Sequence, residues 1–149
     1  MKAKSPEENC DRAQDGDHES RPVEDWRHFD LYAPSDEHEL LAETLRLFVE
    51  REVEPQAAQH DREERFNRSL FAQAGELGLL GVTIPERFGG AELDAVAAIQ
   101  VLESLSSSDP GFGLAVLAHS FLFAHNLWIN GSEAQSARFL PEVVEGKKI

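Results

Sequence analysis

Few residues in this 149-residue chain are arranged to do chemistry by themselves. His119 and Ser120 set a base beside a hydroxyl, the parts of an activated nucleophile. Successive residues on a helix point about 100° apart, so these two side chains diverge and form no dyad. His119 reads instead as a hydrogen-bonded core histidine or as one that lines a pocket. The six histidines show no ligand spacing. His60 with Asp61 and Glu64 reads as a solvated helix end, and no metal site is expected. Glu86 has the chemistry of a general base, but hydrogen bonding to its own turn or pairing with Arg87 suits it better. Glu50-Arg51-Glu52 and Asp61-Arg62-Glu63-Glu64-Arg65 read as exposed charge runs. No catalytic residue is assigned.

The elements that would position such groups are helical. The first helix is predicted from Asp36 to about His60, with Leu41, Leu45 and Phe48 at helical spacing. Ser35 or Asp36 can cap it, and Asp36 with Glu39 matches a capping box. Pro55 is expected to kink or interrupt its last turns. A second helix is predicted from near Ser69 to Gly78, and a third from Leu93 to about Ser106, with Ala98, Val101, Leu102 and Leu105 on one face. Asp109 can cap a fourth, with Pro110 at its first position, reaching about Asn130 before Gly131 ends it. Ser132 with Gln135 forms a capping box for a fifth helix, which Pro141 is expected to break or redirect. No strand-like alternation of any length occurs. The fold class is therefore all-α, an orthogonal bundle of five to six helices.

Between the second and third helices lies the most punctuated stretch, residues 73–90. Gly78 and Gly81 suit positive-φ cap and turn positions, Pro85 stops any continuing helix, and Gly89-Gly90 makes a second sharp turn. This is an ordered connection rather than a floppy one.

Residues 1–28 are polar, charged and almost free of aliphatics, too poor in apolar surface to offset ordering entropy. They are expected to be a disordered acidic leader, with order beginning at Trp26 or Phe29 and a single domain over 29–149. The formal charge of −14 and the lack of a basic cluster argue against nucleic acid. Cys10 is the only cysteine, so no internal disulfide forms, which fits a reducing compartment. The start has no apolar signal region and is too acidic for a transit peptide. A cytoplasmic location is expected, with the mitochondrial matrix as the alternative. Phe112–Ile129 is long enough to suggest a membrane span, but His119, Ser120, His125 and Asn126 interrupt it. It reads as the central helix of a bundle.

Gly75-Glu76-Leu77-Gly78-Leu79-Leu80-Gly81, followed by Pro85-Glu86 and Phe88-Gly89-Gly90, resembles the signature loop of the acyl-CoA dehydrogenase family's N-terminal helical domain. Phe29-Asp30-Leu31 and the acidic, Leu-rich stretch from Glu39 to Asp61 resemble its opening. Asn130-Gly131-Ser132-Glu133-Ala134-Gln135 and Phe139-Leu140-Pro141 resemble its last segment. The Ala118-His119-Ser120 step and its spacing to Asn130-Gly131 look most like the isovaleryl-CoA dehydrogenase branch. Departures at Leu102-Glu103 and Ala91-Glu92 weaken any claim to one substrate class.

The resemblance implies FAD-dependent α,β-dehydrogenation of an acyl-CoA thioester, an electron-transfer flavoprotein as redox partner, and a homo-oligomer when full length. It also implies that the chain is truncated before the β-domain, so that the main FAD-binding segments and the catalytic carboxylate lie beyond Ile149, and that this part alone is inactive. The role left to it is one wall of the acyl pocket. Carried over by position, that wall is Leu114, Ala115, Ala118, His119 and Leu122. Ala115 and Ala118 leave room for an acyl chain, although small residues also permit close helix packing. The competing reading is a stand-alone helical binding or regulatory module that has lost the catalytic domains.

Overall fold

The structure, a computed structural model, describes residues 35–149. The expected leader and the ordered start at Trp26 or Phe29 lie outside the described residues. Within them the chain is helical, without strands. It runs α1 (Asp36–Phe48), a π-helical turn (Val49–Val53), α2 (Glu54–Arg62), α3 (Arg68–Glu76), a 3-10 turn (Glu86–Phe88), α4 (Ala95–Ser108), α5 (Pro110–Leu117), a second π turn (Ala118–His125), α6 (Asn126–Asn130) and α7 (Glu133–Val144). The π turns join α1 to α2 and α5 to α6, so the bundle has five helical rods.

The first rod shows how Pro55 is accommodated. A proline within a helix removes one backbone donor and presses its ring on the carbonyl four residues back. Here the π turn precedes it, Glu54 N–H reaches the carbonyl of Val49 five residues back, and Pro55 falls in the opening turn of α2. The wider turn relieves the clash, so the expected interruption takes the form of a π turn and the rod continues to Arg62. Pro141 likewise does not break α7, which runs on to Val144. Leu140, Val143 and Val144 on that segment are all buried, and their packing holds the helix through the missing bond.

Caps fix most of the other ends. Asn67 accepts from Leu70 N–H, Asp109 from Phe112 N–H, and Ser132 and Gln135 form the expected capping box. α3 and α7 both end in Schellman motifs, with Gly78 and Gly146 at positive φ. The capping box expected at Asp36 and Glu39 does not form. Ser35 is the N-cap residue, but its hydroxyl turns to Nδ1 of His38 at 2.7 Å, and Nε2 of His38 reaches Oδ1 of Asp94 at 3.0 Å. A carboxylate only accepts, so Nε2 carries the proton, and in the neutral ring Nδ1 accepts from Ser35. Asp94 in turn accepts from the N–H groups of Val96 and Ala97 at the start of α4. This relay ties the N-termini of α1 and α4 together.

Two apolar clusters form the core. The larger gathers Leu45, Phe48, Val53, Leu70, Phe71, Leu80, Val101, Leu105, Phe112 and Val116 from α1, the first π turn, α3, the glycine loop, α4 and α5. The smaller gathers Ile84, Phe88, Ala124, Leu140, Val143 and Val144. The glycine loop contributes to both, through Leu79, Leu80 and Val82 on one side and Ile84 and Phe88 on the other. Gly81 does not adopt the positive φ expected of it. It is needed for closeness, because a Cβ there would lie 2.8 Å from Val144 Cβ, and one on Gly90 would lie 2.0 Å from the Ile84 carbonyl oxygen.

Two outcomes follow. Gly90→Ala must move backbone and is expected to cost at least about 2 kcal/mol, whereas Gly111→Ala, whose Cβ meets only Asp109 Oδ1 at 3.4 Å, is expected to be neutral or mildly stabilising; urea midpoints at constant slope decide. The hydrogen bond from His38, then those from α4 backbone, hold the Asp94 carboxyl below the usual carboxylate range. A depressed folded-state pKa gives stability that is present above the unfolded value, about 3.9, and lost as pH falls through the folded one. Asp94→Asn should therefore flatten the loss of stability below about pH 4, while a variant with an unchanged acid limb would show that the relay contributes nothing.

Candidate functional site

The site is built on the rod formed by α5, the second π turn and α6. Asp109 accepts from Phe112 N–H at 2.9 Å and Pro110 occupies the first turn, so the rod's start is fixed. Ala115, Ala118, His119 and Phe123 from this rod border a cavity of about 620 Å³. Phe71 of α3, Phe139 and Val143 of α7, Phe66 of the preceding loop, and Lys148 and Ile149 complete its lining. The lining is mostly apolar. Lys148 forms an ion pair with Glu142, so the cation at the mouth is already balanced.

His119 is 8 % exposed. Its Nε2 lies 2.9 Å from the Val143 carbonyl oxygen, and its ring meets Phe71 edge-on at 4.9 Å. It is thus both hydrogen-bonded in the core and pocket-lining. Ser120 is buried on a different side, with an unpartnered Oγ, and makes no dyad with it.

Of the five residues picked out in the sequence, three border the cavity together. Leu114 and Leu122 stand outside it, 65 % and 66 % exposed. The π turn explains the displacement of Leu122. Its wider turn advances the register by about one residue, so Phe123 occupies the row of Ala115 and His119 that a regular helix would give to Leu122. The contributions of Phe66, Phe71, Phe123 and Phe139 were missed in the sequence. Their only signal there is the number of phenylalanines, since tertiary packing alone brings them together.

The rod is not the buried central helix expected. Pro110–Asn130 is 21 residues long and apolar enough to cross a membrane by length and composition, and a third of its most apolar window is buried. One side packs on α4, α3 and α7; Leu114, Leu122 and Ile129 are exposed on the other, and Phe123 at the cavity is half exposed. His125 anchors the rod to the glycine loop, its Nδ1 2.8 Å from the Thr83 hydroxyl and its ring against Trp128 at 5.3 Å.

Elsewhere, a polar cleft of about 780 Å³ lies between α2 and the start of α5, with Glu54, Asp61, Glu64 and Asp109 on its walls beside His60 and Arg65. His60 is not simply solvated, because Nδ1 bonds to the Arg65 carbonyl at 3.1 Å and closes the turn. Arg87 faces Glu133 at 3.7 Å rather than pairing with Glu86. Glu86 contributes its backbone N–H to the turn, bonded to the Glu92 carboxylate. Ser35, His38 and Asp94 form a hydroxyl–imidazole–carboxylate chain that the sequence reading did not find. Three carboxylates in the first turn of α1, Asp36, Glu37 and Glu39, oppose any oxyanion beside that hydroxyl, so the chain serves as a tie. Among the described residues no three His, Cys, Asp or Glu side chains group as a metal site.

Residues 35–147 match the family of the acyl-CoA dehydrogenase N-terminal domain, and the chain belongs to that family. It is 34 % identical over 134 residues to the mitochondrial isovaleryl-CoA dehydrogenase of Pongo abelii, covering 89 % of this chain and 31 % of that protein. The butyryl-CoA dehydrogenase of Megasphaera elsdenii superposes with a TM-score of 0.72 at 27 % identity, over 77 % of this chain and 30 % of that one. The acyl-CoA dehydrogenase of Bacillus anthracis, determined with FAD, gives 0.67 at 34 % identity, over 76 % and 20 %. The chain thus spans less than a third of the length of these relatives.

The His119–Val143 bond has a measurable weight. His119→Leu removes one of the two bonds the Val143 carbonyl accepts, the other coming from Gly146 N–H, and is expected to cost about 1 kcal/mol, against less than about 0.5 kcal/mol for the exposed Leu122→Ala. Equal costs in urea melts would show that the bond does not anchor the rod.

Proposed function

We propose that this chain serves as the N-terminal helical domain of an FAD-dependent acyl-CoA dehydrogenase and supplies one wall of the acyl pocket. The observation that carries this reading is the apolar cavity against Ala115, Ala118 and His119, on the helix that the family resemblance selects. Ala115 and Ala118 keep the wall low, the phenylalanine rings offer apolar contact, and His119 is held in place by the Val143 carbonyl. The wall's work is to orient a hydrocarbon chain and keep water from it. Leu114 and Leu122 extend the wall along the exposed strip beside the cavity, where a further domain of a longer enzyme would close over them.

The chain's own residues do not suit the flavin. The polar cleft sets four carboxylates against the single guanidinium of Arg65, an excess of negative charge that opposes a pyrophosphate. The apolar cavity offers no row of donors to a flavin ring edge. No Asp or Glu lies between Phe112 and Ile129 to take a substrate proton. In this reading FAD and the catalytic base belong to other parts of a longer enzyme. That enzyme passes electrons to an electron-transfer flavoprotein and assembles as a homo-oligomer. The lone Cys10 supports a reducing compartment, the cytoplasm in this reading.

The test uses the purified 149-residue chain. It is expected to be colourless and to leave an acyl-CoA unoxidised. It is also expected to bind octanoyl-CoA measurably by calorimetry, with at least tenfold weaker binding in Ala118→Trp, whose side chain fills the cavity. A yellow protein that bleaches with acyl-CoA would overturn the division of labour. Unchanged affinity in Ala118→Trp would overturn the wall.

A further inference from the structure

The size of the apolar cavity discriminates between acyl chains. Its volume is about 620 Å³. A water-sized group, such as a methylene, takes up roughly 30 Å³ in a liquid, so the space holds about twenty of them. Its length gives a second measure. Ala115 and Phe123 both border the cavity, on one rod. At about 1.5 Å per residue, that rod runs roughly 12 Å between them. An extended chain gains about 1.2 Å per single bond, a third of the reach of one residue, so about ten bonds span the distance. Only two lining side chains are polar, and both are engaged. His119 Nε2 donates to the Val143 carbonyl at 2.9 Å, and Lys148 pairs with Glu142. The rest of the lining asks for hydrocarbon.

A short branched chain of about five carbons would fill about a quarter of the volume and leave water against the phenylalanine rings. Each further methylene that reaches those rings removes more apolar surface from water. We propose that the cavity takes a straight acyl chain of about ten to twelve carbons, laid along the rod from Ala115 to Phe123. The inference rests on the reading of this cavity as an acyl wall and specifies the chain length of the substrate.

Three probes test it: 3-methylbutanoyl-, octanoyl- and dodecanoyl-CoA, each kept below its micelle concentration. They are titrated into the 149-residue chain by calorimetry, while the methyl groups of Ala115 and Ala118 are followed by NMR. Full burial of one methylene is worth roughly fourfold in affinity, so dodecanoyl-CoA is expected to bind at least about tenfold more tightly than octanoyl-CoA. The 3-methylbutanoyl thioester is expected to bind most weakly, and Ala118→Trp should abolish the gain from octanoyl to dodecanoyl. A smaller gain in the wild type, or tightest binding by 3-methylbutanoyl-CoA, overturns the proposal and leaves the acyl wall standing, provided the two methyl groups respond. Methyl groups that respond to none of the three overturn both. A gain that survives Ala118→Trp puts the longer chain elsewhere and overturns the proposal. The wild-type series, read with its methyl shifts, decides the matter even if Ala118→Trp fails to fold.

Discussion

Backbone closeness at the glycine loop is the constraint on which the rest of the domain depends. Gly90 lies against the Ile84 carbonyl and Gly81 against Val144, at separations that no side chain would tolerate. The loop can then pass between the two apolar clusters and feed side chains into both. Its contact with Val144 sets the position of α7. α7 presents the Val143 carbonyl to His119, and that bond sets the ring on the cavity wall. The geometry of the candidate site is therefore inherited, through these contacts, from glycines outside the cavity lining.

The two π turns have opposite consequences. At Val49–Val53 the wider turn lets a helix pass a proline and keeps α1 and α2 in one rod. At Ala118–His125 no proline requires it, and its effect is one of register. It swings Phe123 into the row of Ala115 and His119 and leaves Leu122 on the open side. π turns of this kind recur at functional positions because they re-aim side chains without ending the helix.

Much of the fold was legible because local chemistry agreed with the final structure. Asp109-Pro110, Ser132 with Gln135, and the apolar periodicity of α1 and α4 are local signals, and they hold. Proline was over-read at position 141, since the burial of Leu140, Val143 and Val144 is not visible in a propensity. The Ser35–His38–Asp94 relay escaped notice because its last two members are 56 residues apart. At the site, Ala115, Ala118 and His119 were legible from the family resemblance. The facing phenylalanines come from three other segments, and only packing brings them there. Leu122 was misplaced by the assumption of 3.6 residues per turn.

The most direct test of the account locates a bound chain. Intermolecular NOEs are measured between the terminal methyl of octanoyl-CoA and the methyl groups of the isotope-labelled 149-residue protein. The account predicts contacts to Ala115, Ala118 and Val143, with ring protons of Phe123 or Phe139 nearby. Contacts confined to Ala57 and Ala58 in the polar cleft, or none at all under saturating ligand, would contradict it.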